Sequence, residues 1–388
     1  MVSNSRPIRL GFVGGGTHSF IGNVHRAAAA ASGRFTIAAG CFSADKARSR
    51  ESAQAIGIAA DRTYENFKEM AEAERHRSDG IEVVAILAPN GMHYDIAGAF
   101  LRAGVHIICE KPVTTTVEHA HDLTRALRSS DRIFAVAHAY IGYSTVHEAR
   151  ERVKSGALGK IRVIQIEYAQ SWLSTDLENA GHKIARQRTD PDLNGVAGCV
   201  AAIGTHAYNL ADFVTGLELQ EVSADLTAFV AGRRVPDNAH ILLRYVGGAH
   251  GMMWISQVAP GHDNGLRLRI YGERGSLFWS QEQPESLVLN ILGEPGQILA
   301  RGGPGAAAHG LIPLVLPPGH PEGFVTAFTN FYAGVAEQIA AKTEGRKPDE
   351  SSRWIPTLQD GVRAVEFAHA ATQSSSRNGS WISVKPLF

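Results

Sequence analysis

The sequence predicts an α/β chain: an amino-terminal doubly wound parallel sheet, then an α+β domain with a large, mainly antiparallel sheet. Three observations predict it. Short apolar runs alternate with helical stretches over roughly the first 140 residues. A glycine loop, Gly14-Gly15-Gly16, directly follows the first of those runs. Beyond Glu221 the pattern turns into closely spaced, alternating strand-like runs with turn residues between them. At 388 residues the chain has room for two cores, and the domains are expected at 1–140 and 141–388.

In the first domain, 8–13 reads as a short buried strand, followed by the glycine loop, Gly22 and an alanine-rich helix at 24–31. In that context glycines let the backbone approach a pyrophosphate and aim a helix N-terminus at its charge. A plain turn is the alternative. The usual fingerprint has two residues between its second and third glycines, and here five intervene, at 17–21, including Phe20 and Ile21. The second strand, 35–40, ends without the acid that often bonds a ribose. Ser43 can bond a ribose hydroxyl, and Lys46 or Arg48 can either meet a 2′-phosphate or lie solvated on the next helix. NAD is expected as cofactor, and NADP stays open.

A third strand at 81–87 ends in Ala88-Pro89-Asn90, followed closely by His93 and a helix at 94–103. The β-branched run at 105–109 then ends in Glu110-Lys111-Pro112, where proline prevents ordinary strand continuation. A helix at 117–127 and a strand at 133–137 complete the domain. The strand ends gather the glycine loop, Pro89, Asn90, His93, Glu110 and Lys111 on one edge, where such sheets bind ligands. A lysine there can move a proton or hold an alkoxide. The plain alternative is a solvated ion pair of little energetic weight.

In the second domain, a helix at 145–154 and a strand at 161–169 lead into Trp172, His182, Lys183, Arg186 and Arg188. These cations either bind an anionic substrate group or lie on a solvated loop. Gly204-Thr205-His206 reads as a glycine turn with His206 beginning a helix at 207–214, either as a structural hydrogen-bonder or as a base. Strands are expected at 222–230, 239–245, 251–258, 266–271, 276–279 and 287–292. Loops at 293–305 and 313–323 and helices at 324–341 and 357–371 follow.

Composition narrows the partners. Thirty-eight basic and 38 acidic residues cancel, which argues against nucleic acid. No apolar run approaches the length of a membrane span, and the start of the chain lacks a leader-like segment. Cys41, Cys109 and Cys199 suggest neither a disulfide framework nor a metal site, so a reduced, cytoplasmic setting is expected.

Five motifs together resemble the Gfo/Idh/MocA oxidoreductase family, the glucose–fructose oxidoreductase and inositol dehydrogenase group. They are Gly11-Phe12-Val13-Gly14-Gly15-Gly16, Ala88-Pro89-Asn90-x-x-His93, Glu110-Lys111-Pro112, Ser155-Gly156-x-Leu158-Gly159 and Gly204-x-His206. The likeness spans essentially the whole chain, and the long loop running to His25-Arg26 looks like one branch of the family. It implies a Rossmann domain, a carbohydrate substrate and a homodimer or homotetramer. It also implies that Lys111 and His206 flank the hydroxyl being oxidised. The chain departs at Ala202, where the family commonly carries an aspartate four residues before the histidine, and Asn209 stands where an acid often follows. Tyr140, His138, His182 and His262 are the candidates to replace that carboxylate. Three functions follow as expectations: a dehydrogenase of a sugar, glycoside or cyclitol ring hydroxyl, an NAD-dependent glycosidase working through transient C3 oxidation, or a non-catalytic dinucleotide sensor.

Overall fold

The computed structural model describes residues 6–306 and 311–384. The stretch 1–5, part of the start read above as lacking a leader, lies outside them. Five strands, β1 (Ile8–Gly14), β2 (Phe35–Cys41), β3 (Val83–Leu87), β4 (His106–Cys109) and β5 (Phe134–Val136), form one parallel sheet in the order β2-β1-β3-β4-β5. Its connections run through α1 (Phe20–Ala31), α2 (Lys46–Ile56), α3 (Phe67–Arg75), α4 (His93–Arg102) and α5 (Val117–Ser130). The order reverses between β1 and β3, and crevices at such switch points hold ligands. Strand β3, Val-Val-Ala-Ile-Leu, is buried along almost its whole length, as a strand covered on both faces must be.

The rest of the chain supplies α6 (Ser144–Lys154), β6 (Ile161–Ala169), α7 (Lys183–Thr189), α8 (Pro191–Asn194), α9 (Thr205–Thr215) and β7 (Leu219–Thr227). Then come β8 (Asn238–Tyr245), β9 (His250–Ser256), β10 (Gly265–Gly272), β11 (Gly275–Ser280), β12 (Ser286–Ile291), β13 (Gln297–Ala300), α10 (Phe324–Thr343), α11 (Leu358–Ser376) and β14 (Ile382–Ser383). Nine strands make a second sheet, β13-β12-β11-β10-β6-β9-β8-β7-β14, antiparallel throughout except for the β6–β9 pair. The α/β expectation holds in both sheets.

Two compact units result. The first takes the chain through Thr114, Glu118–Ala139 and Phe324–Gly361; the second takes Thr115–Val117, Tyr140–Gly323 and the chain from Val362 on. A single cut at residue 140 therefore misplaces α10. Its Phe328, Phe331, Tyr332, Val335 and Ile339 share one core with Ala28 and Ala29 of α1, so burial ties this late helix to the first sheet.

Two other expectations change. The strand expected at 222–230 stops at Thr227, because the backbone N–H groups of Phe229 and Val230 donate to the Asp237 carboxylate instead of to a neighbouring strand. The expected loop at 293–305 contains β13, paired antiparallel with β12. Among the described residues no helix is long and apolar enough to cross a membrane.

Three histidines are buried as neutral rings. Burial, then the charges of Arg132 and Lys342, pushes His106 down to about 4, and its Nδ1 accepts the Ile133 N–H at 2.8 Å. Burial, followed by the charge of Lys111, lowers His138 to about 3, and burial likewise lowers His147 to about 3. All three lie below the ordinary 6.5, so on unfolding each takes up a proton as pH falls through that value. Their stabilisation is complete above pH 6.5 and is lost as pH falls towards about 4 and about 3. The urea midpoint is expected to fall between pH 7 and pH 4, with up to about 1.4 kcal/mol per pH unit from each ring. A flat midpoint over that range would contradict these neutral burials.

Candidate active site

In the first unit the glycine loop is a cradle that side chains would fill. Gly14 and Gly15 have φ of +80° and +67°, and a Cβ on Gly14 would lie 2.6 Å from the Leu87 carbonyl oxygen at the end of β3. A Cβ on Gly22 would lie 2.2 Å from the Gly15 carbonyl oxygen, so the first turn of α1 comes into direct backbone approach with the loop. Ser19 caps that helix, its Oγ accepting the Gly22 N–H at 3.1 Å. Thr17 N–H donates to Ser52 Oγ at 3.2 Å, which closes the flank beside Gly16. The longer loop thus still delivers a capped helix N-terminus to the switch point. These residues fit a dinucleotide pyrophosphate.

The remaining expected cofactor residues divide by surroundings. Phe20 is 71% exposed at the start of α1 and stacks on Phe324 at 6.4 Å, whereas Ile21 packs against the core. Ser43, just after β2, accepts the Asp45 N–H at 3.1 Å. Lys46 is paired with Glu65 and Arg48 with Asp45, so the cations considered for a 2′-phosphate have acidic partners. Pro89 and the buried Asn90 open a 3₁₀ turn after β3. His93 is fully buried, with Nδ1 at 2.8 Å from the Pro112 carbonyl and Nε2 at 2.9 Å from that of Ala88.

At the end of β4 the Glu110–Lys111 pair is not solvated. Lys111 is 8% exposed. The Glu110 side chain is 13% exposed, with Oε1 at 3.0 Å from His25 Nε2. Its Oε2 accepts the Lys111 N–H at 3.2 Å. Burial works against the carboxylate, but the His25 hydrogen bond and the nearby His25, Lys111 and His93 outweigh it and hold the group at about 2. His25 Nδ1 meets Tyr332 Oη at 2.8 Å. The Lys111–Pro112 peptide is cis. His138, neutral and 1% exposed, is unsuited to take a proton near neutral pH.

The second unit holds a group of uncharged donors and acceptors around Tyr140. Tyr140 Oη lies 2.7 Å from Tyr168 Oη, Tyr168 donates to Asn264 Oδ1 at 2.7 Å, and Asn264 Nδ2 donates back to Tyr140 at 3.3 Å. Gln170 joins through Asn264 Oδ1 at 3.0 Å and accepts the Trp172 indole N–H at 3.1 Å. The His206 ring meets Tyr140 edge-on at 4.9 Å. Asn264 and Gln170 were not found by sequence reasoning. Asn264 stands in Asp263-Asn264-Gly265, which reads as a turn, and Gln170 is the ordinary polar residue after a strand.

His206 is not preceded by a glycine turn. Gly204 is helical, φ −61°, and ends a π-helical turn (Val200–Gly204) continuous with α9. Such wide turns are frequent at functional sites. Ala202 lies in that turn, and Asn209 follows in α9 with its Oδ1 buried and without a hydrogen-bond partner among the described residues. His182 is exposed and caps α7, its Nδ1 accepting the Ala185 N–H at 3.2 Å. Arg186 is exposed and Arg188 half-buried on the same helix. His262 meets Trp254 edge-on at 6.0 Å. The segment carrying Trp172 is pinned by the buried Arg233, which donates to the carbonyls of Leu173 and Thr175 and to the carboxylates of Glu178 and Asp237.

Comparison with known proteins adds the following. The family profile described as "Oxidoreductase family, NAD-binding Rossmann fold" matches residues 8–138, and that described as "GFO/IDH/MocA C-terminal domain" matches 146–278. An uncharacterised oxidoreductase of Bacillus subtilis, YfiI, is 33% identical over 388 residues, covering 98% of each chain. A levoglucosan dehydrogenase of Pseudarthrobacter phenanthrenivorans is 26% identical, covering 98% of this chain and 99% of that one. The crystal structure of an inositol dehydrogenase homologue from Azotobacter vinelandii, complexed with NADH and myo-inositol, is 32% identical with a TM-score of 0.88, covering 98% of each chain.

Proposed function

The chain belongs to the Gfo/Idh/MocA family of NAD-binding oxidoreductases, and from that premise we propose that it oxidises a secondary ring hydroxyl of a sugar, glycoside or cyclitol. The observation that carries this reading is the buried Glu110–Lys111 pair at the end of β4, in the same unit as the glycine cradle. NAD, when bound, supplies the hydride acceptor. Lys111 stabilises the developing alkoxide, and His206 takes the hydroxyl proton, imidazole being the side-chain type whose ordinary charge change lies nearest neutrality. Gly14, Gly16, Phe20, Ser43, Pro89 and Asn90 line the cofactor. The paired Lys46 and Arg48 favour NAD over NADP.

Tyr140 and Asn264 bind the substrate through hydroxyl and amide groups, with the Trp172 indole beside them, a chemistry suited to uncharged polyols. Levoglucosan, for which one relative is named, and myo-inositol, bound in the crystal structure of another, are of that class. An anionic substrate held by Arg186 and Arg188 finds less support, since Arg186 is exposed. A redox glycosidase is also less supported: His138 is held neutral by burial, and His182 uses Nδ1 to cap α7.

One experiment separates these functions. Purified protein with NAD is given myo-inositol, levoglucosan and a panel of nitrophenyl glycosides, and both reduced nicotinamide and nitrophenolate are followed. Reduced nicotinamide without nitrophenolate is the expected result. NAD-dependent nitrophenolate release without net reduction would replace the dehydrogenase by the glycosidase.

A further inference from the structure

We infer that His25, which the proposed chemistry leaves unassigned, is a positioning residue for Lys111: its Nε2–H fixes the Glu110 carboxylate beside the lysine, and Tyr332 fixes His25. This rests on the reading of Lys111 as the group at the reacting hydroxyl. The geometry is a chain of two hydrogen bonds, from Tyr332 Oη to His25 Nδ1 at 2.8 Å and from His25 Nε2 to Glu110 Oε1 at 3.0 Å. It joins α10, α1 and the end of β4.

An ionised Glu110 can only accept, so Nε2 must carry the proton. Nδ1 is then left to pair with Tyr332 Oη, so each ring nitrogen has a partner. The chain also ends in the core, because Tyr332 and His25 are both 0% exposed and the Tyr332 ring packs on Phe35 and Phe331. A path that moved protons would have to reach water. This one stops, so its role is to hold charge in place.

The charged and titratable groups facing Glu110 come from several elements. His25 comes from α1 and His93 from α4, Lys111 and Cys109 flank it in sequence, His138 follows β5, and Tyr332 lies on α10 with Arg26 acting on it. His25 Nε2–H and the Lys111 backbone N–H both donate to the carboxylate. Without His25, a mostly buried Glu110 would take up a proton at a higher pH, and Lys111 would lose its counter-charge below that pH.

Two polar variants separate positioning from packing. In His25→Gln the amide nitrogen falls near Nε2 and reaches Glu110; in His25→Asn it falls near Nδ1 and reaches only Tyr332. H25Q is expected to keep most of kcat and the parent pH profile. H25N is expected to lose about 10- to 100-fold in kcat, with KM for NAD nearly unchanged, and to gain an acid limb in kcat absent from the parent. Equal loss in both variants with an unaltered pH profile would overturn the inference.

The titration of Glu110 is also read without turnover, from the urea midpoint between pH 5 and pH 2, with Glu110→Gln as reference. If H25N loses stability at a higher pH than H25Q but the kcat profiles agree, the anchoring of Glu110 stands and the role of Lys111 falls. If the two midpoints coincide, the anchoring itself is wrong.

Discussion

Lys111→Ala is expected to lower kcat by about 10²- to 10⁴-fold, the usual span for removing a proton-transferring or charge-stabilising side chain. NAD should still bind. The cradle that receives the pyrophosphate is made of backbone at Gly14, Gly15 and Gly22 and of the Ser19 cap, none of which the substitution touches. The bond from the residue 111 backbone N–H to Glu110 Oε2 also survives. Loss of turnover with NAD affinity retained, measured by quenching of protein fluorescence, separates a role in the chemical step from a role in cofactor binding. Turnover within a few-fold of the parent would remove Lys111 from the chemistry and leave the Glu110 network as a structural feature.

Gly22→Ala should do the converse. The new Cβ would lie 2.2, 2.6 and 2.7 Å from the O, C and Cα of Gly15. All three are backbone atoms, so no side chain can swing aside, and α1 must back away from the loop. The helix N-terminus would then no longer meet the phosphates, and affinity for NAD is expected to fall about 100-fold, the equivalent of about 2.7 kcal/mol. Overpacking adds roughly 1–3 kcal/mol of lost stability, visible as a lower urea midpoint. Gly323→Ala is the control, because a Cβ there meets nothing within 4 Å and its φ is unrestricted. Unchanged NAD affinity in G22A would mean that the pyrophosphate does not depend on this approach.

Much of the molecule was legible from local pattern. Short continuous apolar runs mark β1, β3 and β4, and glycines mark the loop after Gly14, because burial on both faces of a strand and positive φ are each written in a few neighbouring residues. Gly204 misled because glycine also serves inside a helix. The strand β13 was hidden in a segment rich in glycine and proline, since its pairing with β12, not its own propensity, makes it a strand. Phe229 and Val230 have strand-like side chains, yet the Asp237 carboxylate takes their backbone N–H groups.

The sequence by itself determined the two sheets, the cofactor cradle, and the candidacy of Lys111 and His206. Each of these is written in residues a few positions apart. Only the tertiary structure decided which groups surround them. Glu110 meets His25 across 85 residues and His25 meets Tyr332 across 307, while Asn264 reaches Tyr140 across 124. A hydrogen bond depends on distance and direction in space, and spacing along the chain carries neither for residues this far apart. The His25 bond and neighbouring charges that keep Glu110 ionised against its burial, and the burial that keeps His138 neutral, likewise arise only when separate elements close around them.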